Sequence, residues 1–368
     1  MEKKAAETEK FAFVVHPLTP QHILNYPKLR WLKIFPLRLI EWGAAFLPPL
    51  CVSSVTGAKS PTGVKLEGWL IGLGATPREM MRRKPEFIYK KLIKACKMAE
   101  KLGAKIIGLG AFTSVVGDAG ITVAKGSNIA VTSGNSYSVS LPLEAAKILS
   151  KKLGLDPKNG KAVVIGAKGS IGSACVRVLA QVVPNIALVA PKMAKLINLQ
   201  KKIESESSSK VTISTSADEV IGDADLIITA TSAQGEKIID IMKVKPGCVI
   251  CDVARLPDIQ EADAKKRPDV LVIESGEAEV PGAVDFHFDI RLPSKTAYAC
   301  LSETMILAME KKYENFSLGR DIDIDKVKEI YKLGKKHGFK LATIRSFGRM
   351  VTDQEIELIK EKTKRAIA

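Results

Sequence analysis

The stretch KAVVIGAKGSIGSACVRVLAQ, residues 161–181, constrains the fold more than any other part of the chain. An apolar strand pattern runs into Gly166, Gly169 and Gly172 and then into a helix pattern. Glycines there let the backbone approach a pyrophosphate, and the helix N-terminus adds N–H groups and a positive dipole. Ser170 and Ile171, inside the motif, count with the glycines as cofactor-binding positions. The spacing is GxxGxxG, a variant frequent among NADP-dependent enzymes. The runs that follow, IALVA, KVTIS, ADLIITATSA, CVICDVA and VLVIESGEA, alternate with helical stretches. That series predicts a Rossmann-type, doubly wound parallel sheet. The second strand leads to Pro191-Lys192, with Lys195 a turn later. An NAD enzyme usually carries an acid there, so two lysines favour the 2′-phosphate of NADPH. The ATSA of 230–233 ends the fourth strand, where the backbone, Thr231 and Ser232 are positioned to meet the nicotinamide half.

At 368 residues the chain is long enough for two domains with full cores. Strand and helix patterns also alternate from Val64 to Leu153, so the reading is α/β throughout. An N-terminal α/β substrate domain spans 1–155 and the NADP-binding domain 156–290, divided at the turn-rich LDPKNGK. A C-terminal helical segment, 291–368, packs back with helices expected over 296–313, 325–336 and 353–366. The last opens with the capping-box signature Thr352-x-x-Glu355. Glycine and hydroxyl residues crowd the strand ends of the first domain, where open α/β sheets build sites. Thr113, Ser114 and Asn135 are the candidates there for polarising a substrate carbonyl, and His287 is a candidate proton donor.

No signal-peptide pattern follows the Met-Glu-Lys-Lys start, and no run approaches the roughly 18–20 apolar residues that span a bilayer. The chain therefore reads as cytoplasmic. Six scattered cysteines do not make a disulfide scaffold. Cys248 and Cys251 have CxxC spacing but fall in a buried-strand pattern, which points them to opposite faces. The net charge of +16 is uneven. Residues 76–105 carry ten basic and three acidic side chains, with Ile88, Leu92, Cys96, Ala99 and Leu102 on one helical face. This is either a solvated face or a docking surface for an anionic partner; no motif points to nucleic acid. Residues 26–50, with Trp31, Phe35, Trp42 and Phe46 among basic residues, read as core helices or as an amphipathic hairpin touching lipid or a greasy substrate.

The blocks SSVTG (53–57), LGAFTSVV (109–116), TSGNSYS (132–138), VVIGAKGSIGSACVRVL, FDI (288–290), AYACLSETMILAMEKKYENFSLGR (297–320) and KKHGF (335–339) occur in this order. With them the chain resembles the long-chain acyl-(acyl-carrier-protein) reductases of cyanobacteria and their bacterial relatives, over about residues 50–340. The resemblance implies NADPH-dependent reduction of a fatty acyl thioester to the aldehyde, with Cys300 holding the acyl group as a thioester. A thiolate is both a strong nucleophile and a good leaving group, so it splits one transfer into two easier steps. A helix beginning near Ser294 puts Cys300 too deep for much help from the helix dipole. The family's histidine beside FDI stands one place before His287, while His16 matches a family histidine of structural character. The implied partners are an acidic acyl carrier protein or CoA. A magnesium requirement is implied by the resemblance alone, since no carboxylate cluster marks a site.

Two other readings stay open at this level. One is a dehydrogenase of a small hydroxy or amino acid with the domain order of shikimate dehydrogenase, which needs no cysteine. The other is a non-catalytic NADP-binding protein that shares only the fold.

Overall fold

The computed structural model describes residues 8–24, 27–233, 236–254 and 257–367. Residues 1–7, and Tyr26 at the head of the aromatic and basic segment, lie outside the described residues. The chain divides into two units. The first comprises the described residues through Tyr137 together with Ala278–Arg320 and Lys328–Lys340; the second comprises Ser138–Glu277, Asp321–Val327 and the chain from Leu341 on.

The first unit is built on β1 (Thr8–Val15), β2 (Leu50–Lys59), β3 (Lys65–Gly72), β4 (Ile106–Leu109) and β5 (Ala130–Thr132). With the strand Gly282–Asp285 at one edge, the order across the sheet is Gly282–Asp285, β2, β3, β1, β4, β5. β1 pairs in parallel with β3 and β4, and β4 in parallel with β5; β2 and the edge strand run antiparallel. Phe11, Ala12, Phe13 and Val14 are buried in succession, as expected of a parallel strand covered on both faces. The helix Pro85–Lys101 covers one face with Ile88, Leu92, Ala95, Cys96 and Ala99. The helix Ala299–Met309, buried from Leu301 to Met309, also packs against β1 and β4. It comes so close that a Cβ on Gly108 would stand 2.0 Å from Thr304 Oγ1, so only glycine fits there.

The second unit contains β6 (Lys161–Ile165), β7 (Asn185–Val189), β8 (Lys210–Ser214), β9 (Leu226–Thr229), β10 (Val249–Asp252) and β11 (Leu271–Glu274). Their order is β11-β10-β9-β6-β7-β8, all parallel, extended beyond β11 by the antiparallel pair Arg345–Ser346 and Arg349–Met350. This is the Rossmann order, with its switch point between β6 and β9. Cys251 packs in the core on one face and Cys248 in the core on the other. Burial pushes the Cys251 thiol up to about 12 and the Cys248 thiol higher still. The pair is therefore packing, as the strand pattern implied.

The α/β class and the doubly wound sheet stand as expected, but the boundaries do not follow 1–155, 156–290 and 291–368. The helix Asn135–Leu153 is continuous through the expected first domain and carries the chain from one unit into the other. The C-terminal segment is shared out as well, with Ala299–Met309 in the first unit and the capped helix Asp353–Ile367 in the second. Glu355 N–H donates to Thr352 Oγ1 at 3.2 Å in that cap. No helix of the described residues is long and apolar enough to cross a membrane.

Candidate active site

The glycine loop joins β6 to the helix Ser170–Leu179, and its three glycines have three different reasons to be glycine. Gly166 has φ +83°, and a Cβ there would meet Ala230 O at 2.4 Å, so it makes the tight turn against β9. On Gly172 a Cβ would meet Gly166 O at 2.3 Å, which sets the close approach of helix to strand. Gly169 meets nothing nearer than 3.3 Å; it is exposed and stands at the N-cap. That leaves an open backbone at a helix N-terminus, the arrangement that admits a pyrophosphate. Ser170 and Ile171 form the first turn beside it.

Lys192 is the exposed N-cap of the helix Met193–Glu206 beyond β7, and exposed Lys195 lies a turn further on. Among the described residues neither meets a carboxylate. The loop after β9 is held from below. Thr231 donates both its N–H, at 3.1 Å, and its hydroxyl to Asp258. Asp252 in turn accepts the N–H groups of Asp258 and Ile259, at 2.7 and 3.1 Å, and the Thr229 hydroxyl at 3.0 Å. Burial and the neighbouring Asp258 push the Asp252 carboxyl up to about 6. Thr231 thus fixes the loop, and exposed Ser232 is the side chain it offers at the rim.

In the first unit, residues 296–298 form a short strand, so the helix expected over 296–313 begins only at Ala299. With Tyr298 as N-cap, Cys300 is the second helical residue and half-buried. The expectation that it lies too deep for the helix dipole is corrected. The first turn is where unpaired N–H groups favour negative charge on a side chain. Lys295, exposed and with φ +60°, stands before the strand.

Gly134, φ +74°, lies against this turn; a Cβ on it would stand 2.2 Å from Cys300 Cβ. It follows β5 and immediately precedes the helix Asn135–Leu153, so a second helix N-terminus opens beside Cys300. Asn135 is the first residue of that helix and is buried. One turn beyond Cys300, fully buried Glu303 accepts the Thr132 hydroxyl and, at 2.8 Å, the Tyr137 N–H. Burial pushes its carboxyl up, against those donors. Ser317 completes the lacing: its Oγ donates to Ser136 Oγ at 2.6 Å and its carbonyl accepts the Ser133 hydroxyl. Gly134 belongs to the glycine and hydroxyl residues that crowd the strand ends in the sequence, whereas Glu303 does not stand out there; its bonds to Thr132 and Tyr137 are the signal.

Of the other candidates, Thr113 and Ser114 are buried in the turn after β4, where their hydroxyls donate to Gly110 O and Ala111 O at 2.7 Å each. His16 braces that turn, accepting the Phe112 N–H on Nε2 at 3.2 Å and bonding Pro17 O through Nδ1 at 3.1 Å. Burial lowers it to about 4, so the ring is neutral and structural. His287 lies elsewhere: it is exposed, pairs with Asp285 at 3.2 Å and bonds Thr56 of β2 at 3.0 Å. β2 and β5 are four strand spacings apart, roughly 19 Å. The structure does not bring His287 to Cys300. Among the described residues no three potential metal ligands cluster, so nothing supports a magnesium site.

No family model matches the chain. It is 28% identical over 361 residues to the Aminotransferase PigE of a Serratia species, covering 94% of this chain and 41% of that protein. The chain thus spans about two fifths of that relative. It is 27% identical over 312 residues to the long-chain acyl-[acyl-carrier-protein] reductase of Synechococcus elongatus, covering 81% of this chain and 88% of that one. Among solved structures, the shikimate 5-dehydrogenase of Listeria monocytogenes in complex with shikimate and NAD aligns with TM-score 0.41 and 12% identity. That alignment covers 90% of this chain and 99% of the other. The L-tryptophan dehydrogenase of Nostoc punctiforme aligns with TM-score 0.38 and 12% identity, over 97% and 89%. Neither alignment carries an inference about chemistry.

Proposed function

We propose that the protein is an oxidoreductase that reduces a long-chain fatty acyl thioester to the fatty aldehyde with NADPH, through an acyl group held on Cys300. The observation that carries this reading is the position of Cys300, half-buried in the first turn of its helix and beside the start of a second one. The likeness to the Synechococcus reductase supports it, at the level of a distant relative. The Serratia aminotransferase is matched over too little of its length for its named activity to be carried over.

In this reading the Cys300 thiolate attacks the thioester carbonyl, a new C–S bond forms, and the carrier thiolate leaves and takes a proton. NADPH, when bound in the glycine cradle, supplies the hydride that turns the enzyme thioester into aldehyde and returns the Cys300 thiolate. Gly169 and the first turn after it would hold the pyrophosphate, Lys192 and Lys195 the 2′-phosphate, and Ser232 would lie toward the nicotinamide half. Thr113 and Ser114, their hydroxyls already donated to Gly110 O and Ala111 O, act only by holding the turn after β4, while Asn135 begins the helix beside Cys300. Glu303, through the Thr132 hydroxyl and the Tyr137 N–H that it accepts, holds the 132–137 segment against the catalytic turn. The exposed lysines 90, 94, 97 and 101 form the docking face for an acidic carrier protein or the phosphates of CoA. Lys91 does not contribute, because it is buried against Leu47 O and burial lowers its pKa.

The test is aldehyde formation from a long-chain acyl-CoA and NADPH. Wild type is expected to produce it and Cys300→Ala to lose it by about 10³-fold or more. Reduction of NADP+ by a small hydroxy or amino acid, kept by Cys300→Ala at the wild-type rate, sinks the reductase reading in favour of the dehydrogenase one.

A further inference from the structure

Nine of the twenty large apolar side chains exposed among the described residues fall between residues 31 and 50, so the surface is not evenly apolar. The segment consists of a 3-10 helix, Pro27–Ile34, and an α-helix, Leu37–Ala44. Its inner side is firmly seated. Ile23, Ile40 and Ala44 form a small core of their own, and buried Glu41 accepts the Thr76 hydroxyl at 2.5 Å and an ion pair from Arg78. The helix end presses so closely that a Cβ on Gly74 would stand 2.1 Å from Ala44 O. Arg83 lies over the Phe46 ring at 4.3 Å and Phe46 meets Trp42 edge-on at 5.0 Å.

The outer side is open to solvent, and its ring contacts stay within the segment itself, Trp31 edge-on to Phe35 and Trp42 to Phe46. Trp31 is 63% exposed, Ile34 79%, Leu39 50% and Trp42 50%, and Phe35 and Leu37 lie between them. Together these six present on the order of 600 Å², at the upper end of the roughly 300–600 Å² of a monomer's largest apolar patch. A helix that is apolar on both sides is ordinarily buried. The polar groups on the exposed side are Arg30, Lys33 and Arg38; the single acid of residues 29–50 is Glu41, which faces inward.

We propose that this face docks on an anionic lipid surface, with Trp31, Ile34, Phe35, Leu39 and Trp42 in the headgroup–acyl boundary and Arg30, Lys33 and Arg38 among the headgroup phosphates. Tryptophan with basic residues and aliphatic side chains is the composition of interfacial helices. A transient protein interface is only about as apolar as the rest of the surface, which this face exceeds. A second copy of the chain would set the same three cations against themselves with no exposed acid between them. The proposal is independent of the chemistry at Cys300.

The test is co-sedimentation of the full chain with phosphatidylcholine vesicles, with and without about one third phosphatidylglycerol. Tryptophan emission is read in parallel, since two of the three tryptophans are on the face. Wild type is expected to bind the anionic vesicles, with a blue shift, and to be released by salt. Trp31→Ser with Ile34→Ser, both highly exposed and so tolerated by the fold, should weaken binding at least tenfold. Arg30→Ala with Lys33→Ala should weaken it about fivefold per charge on anionic vesicles alone. No binding by wild type, or equal binding by all variants, overturns the proposal. Loss of binding to an acidic carrier protein, or of self-association, with vesicle binding unchanged also overturns it and gives the face to a protein partner.

Discussion

The glycine cradle of the second unit and the Cys300 turn of the first use the same device for different ends. Each sets a helix N-terminus beside a sheet strand's carboxyl end, with a positive-φ glycine at the turn. In the cradle, Gly169 is exposed at the N-cap, and the first turn that follows it is a helix N-terminus able to face an anion. At Cys300 the glycine is filled: Gly134 rests on the cysteine itself, and the N–H groups of Ser136 and Tyr137 are taken by Ser317 and Glu303. One glycine turn leaves its neighbouring helix end exposed, and the other is filled by a side chain of the protein. In the proposed function the same electrostatics would serve a ligand in one unit and a nucleophile in the other.

That contrast breaks if the two glycine sites respond alike. Gly134→Ala forces a Cβ into Cys300 and a left-handed backbone onto alanine, at a cost of about 2–3 kcal/mol. Acylation by a long-chain acyl-CoA should fall roughly 100-fold, while NADPH affinity, read by fluorescence titration, should hold within about twofold. Gly172→Ala should do the reverse: its Cβ meets Gly166 O, so NADPH affinity drops while the acylation rate is kept.

The role of Glu303 sharpens the comparison within the first unit. Glu303→Ala leaves the buried Thr132 hydroxyl and Tyr137 N–H without their acceptor, worth about 2 kcal/mol in a denaturant titration. Glu303→Gln, neutral and of the same shape, should recover at least half of that loss. Equal destabilisation by both would mean that the carboxyl is ionised in the folded protein. In the second unit, Lys192→Ala with Lys195→Ala should weaken NADPH about tenfold and leave NADH unchanged, as parallel titrations would show.

The smallest effect concerns His16. Its folded pKa of about 4 is below the unfolded value of 6.5, so the unfolded chain binds the extra proton first. Its contribution to stability is complete above about pH 6.5 and disappears as pH falls toward 4. With the ring partly open to solvent this amounts to about 1–2 kcal/mol. The difference between wild type and His16→Gln, followed by denaturant titration, should change across that window and be flat above it.

The cradle was legible because its parts are neighbours in sequence: strand, three glycines, helix and lysines occur in order, and the alternating runs became six parallel strands. The lysines and Ser232 could be placed at strand ends for the same reason. The Cys300 turn is a product of long-range contacts. Glu303 meets Thr132 across 171 positions and Tyr137 across 166, and no periodicity records such a meeting. The start of its helix is not fixed locally, because TAYAC is as compatible with a helix as with a strand. A long-range bond decided it, the Val280 N–H donating to Lys295 O at 2.7 Å just before the strand Thr296–Tyr298. ENFSLGR stood out in the sequence only by resemblance, and its physical content appears in the fold. Asn315 accepts the Val131 N–H at 3.0 Å, and Ser317 laces Ser133 and Ser136.

The central claim is that Cys300 carries the acyl group. The direct measurement is the intact mass of the protein after brief incubation with a long-chain acyl-CoA, with the adduct mapped by peptide and then chased with NADPH. The account predicts one acyl group, on Cys300, that disappears on adding NADPH as aldehyde appears. Aldehyde formed with no adduct, or an adduct that maps to another cysteine and persists in Cys300→Ala, would contradict it.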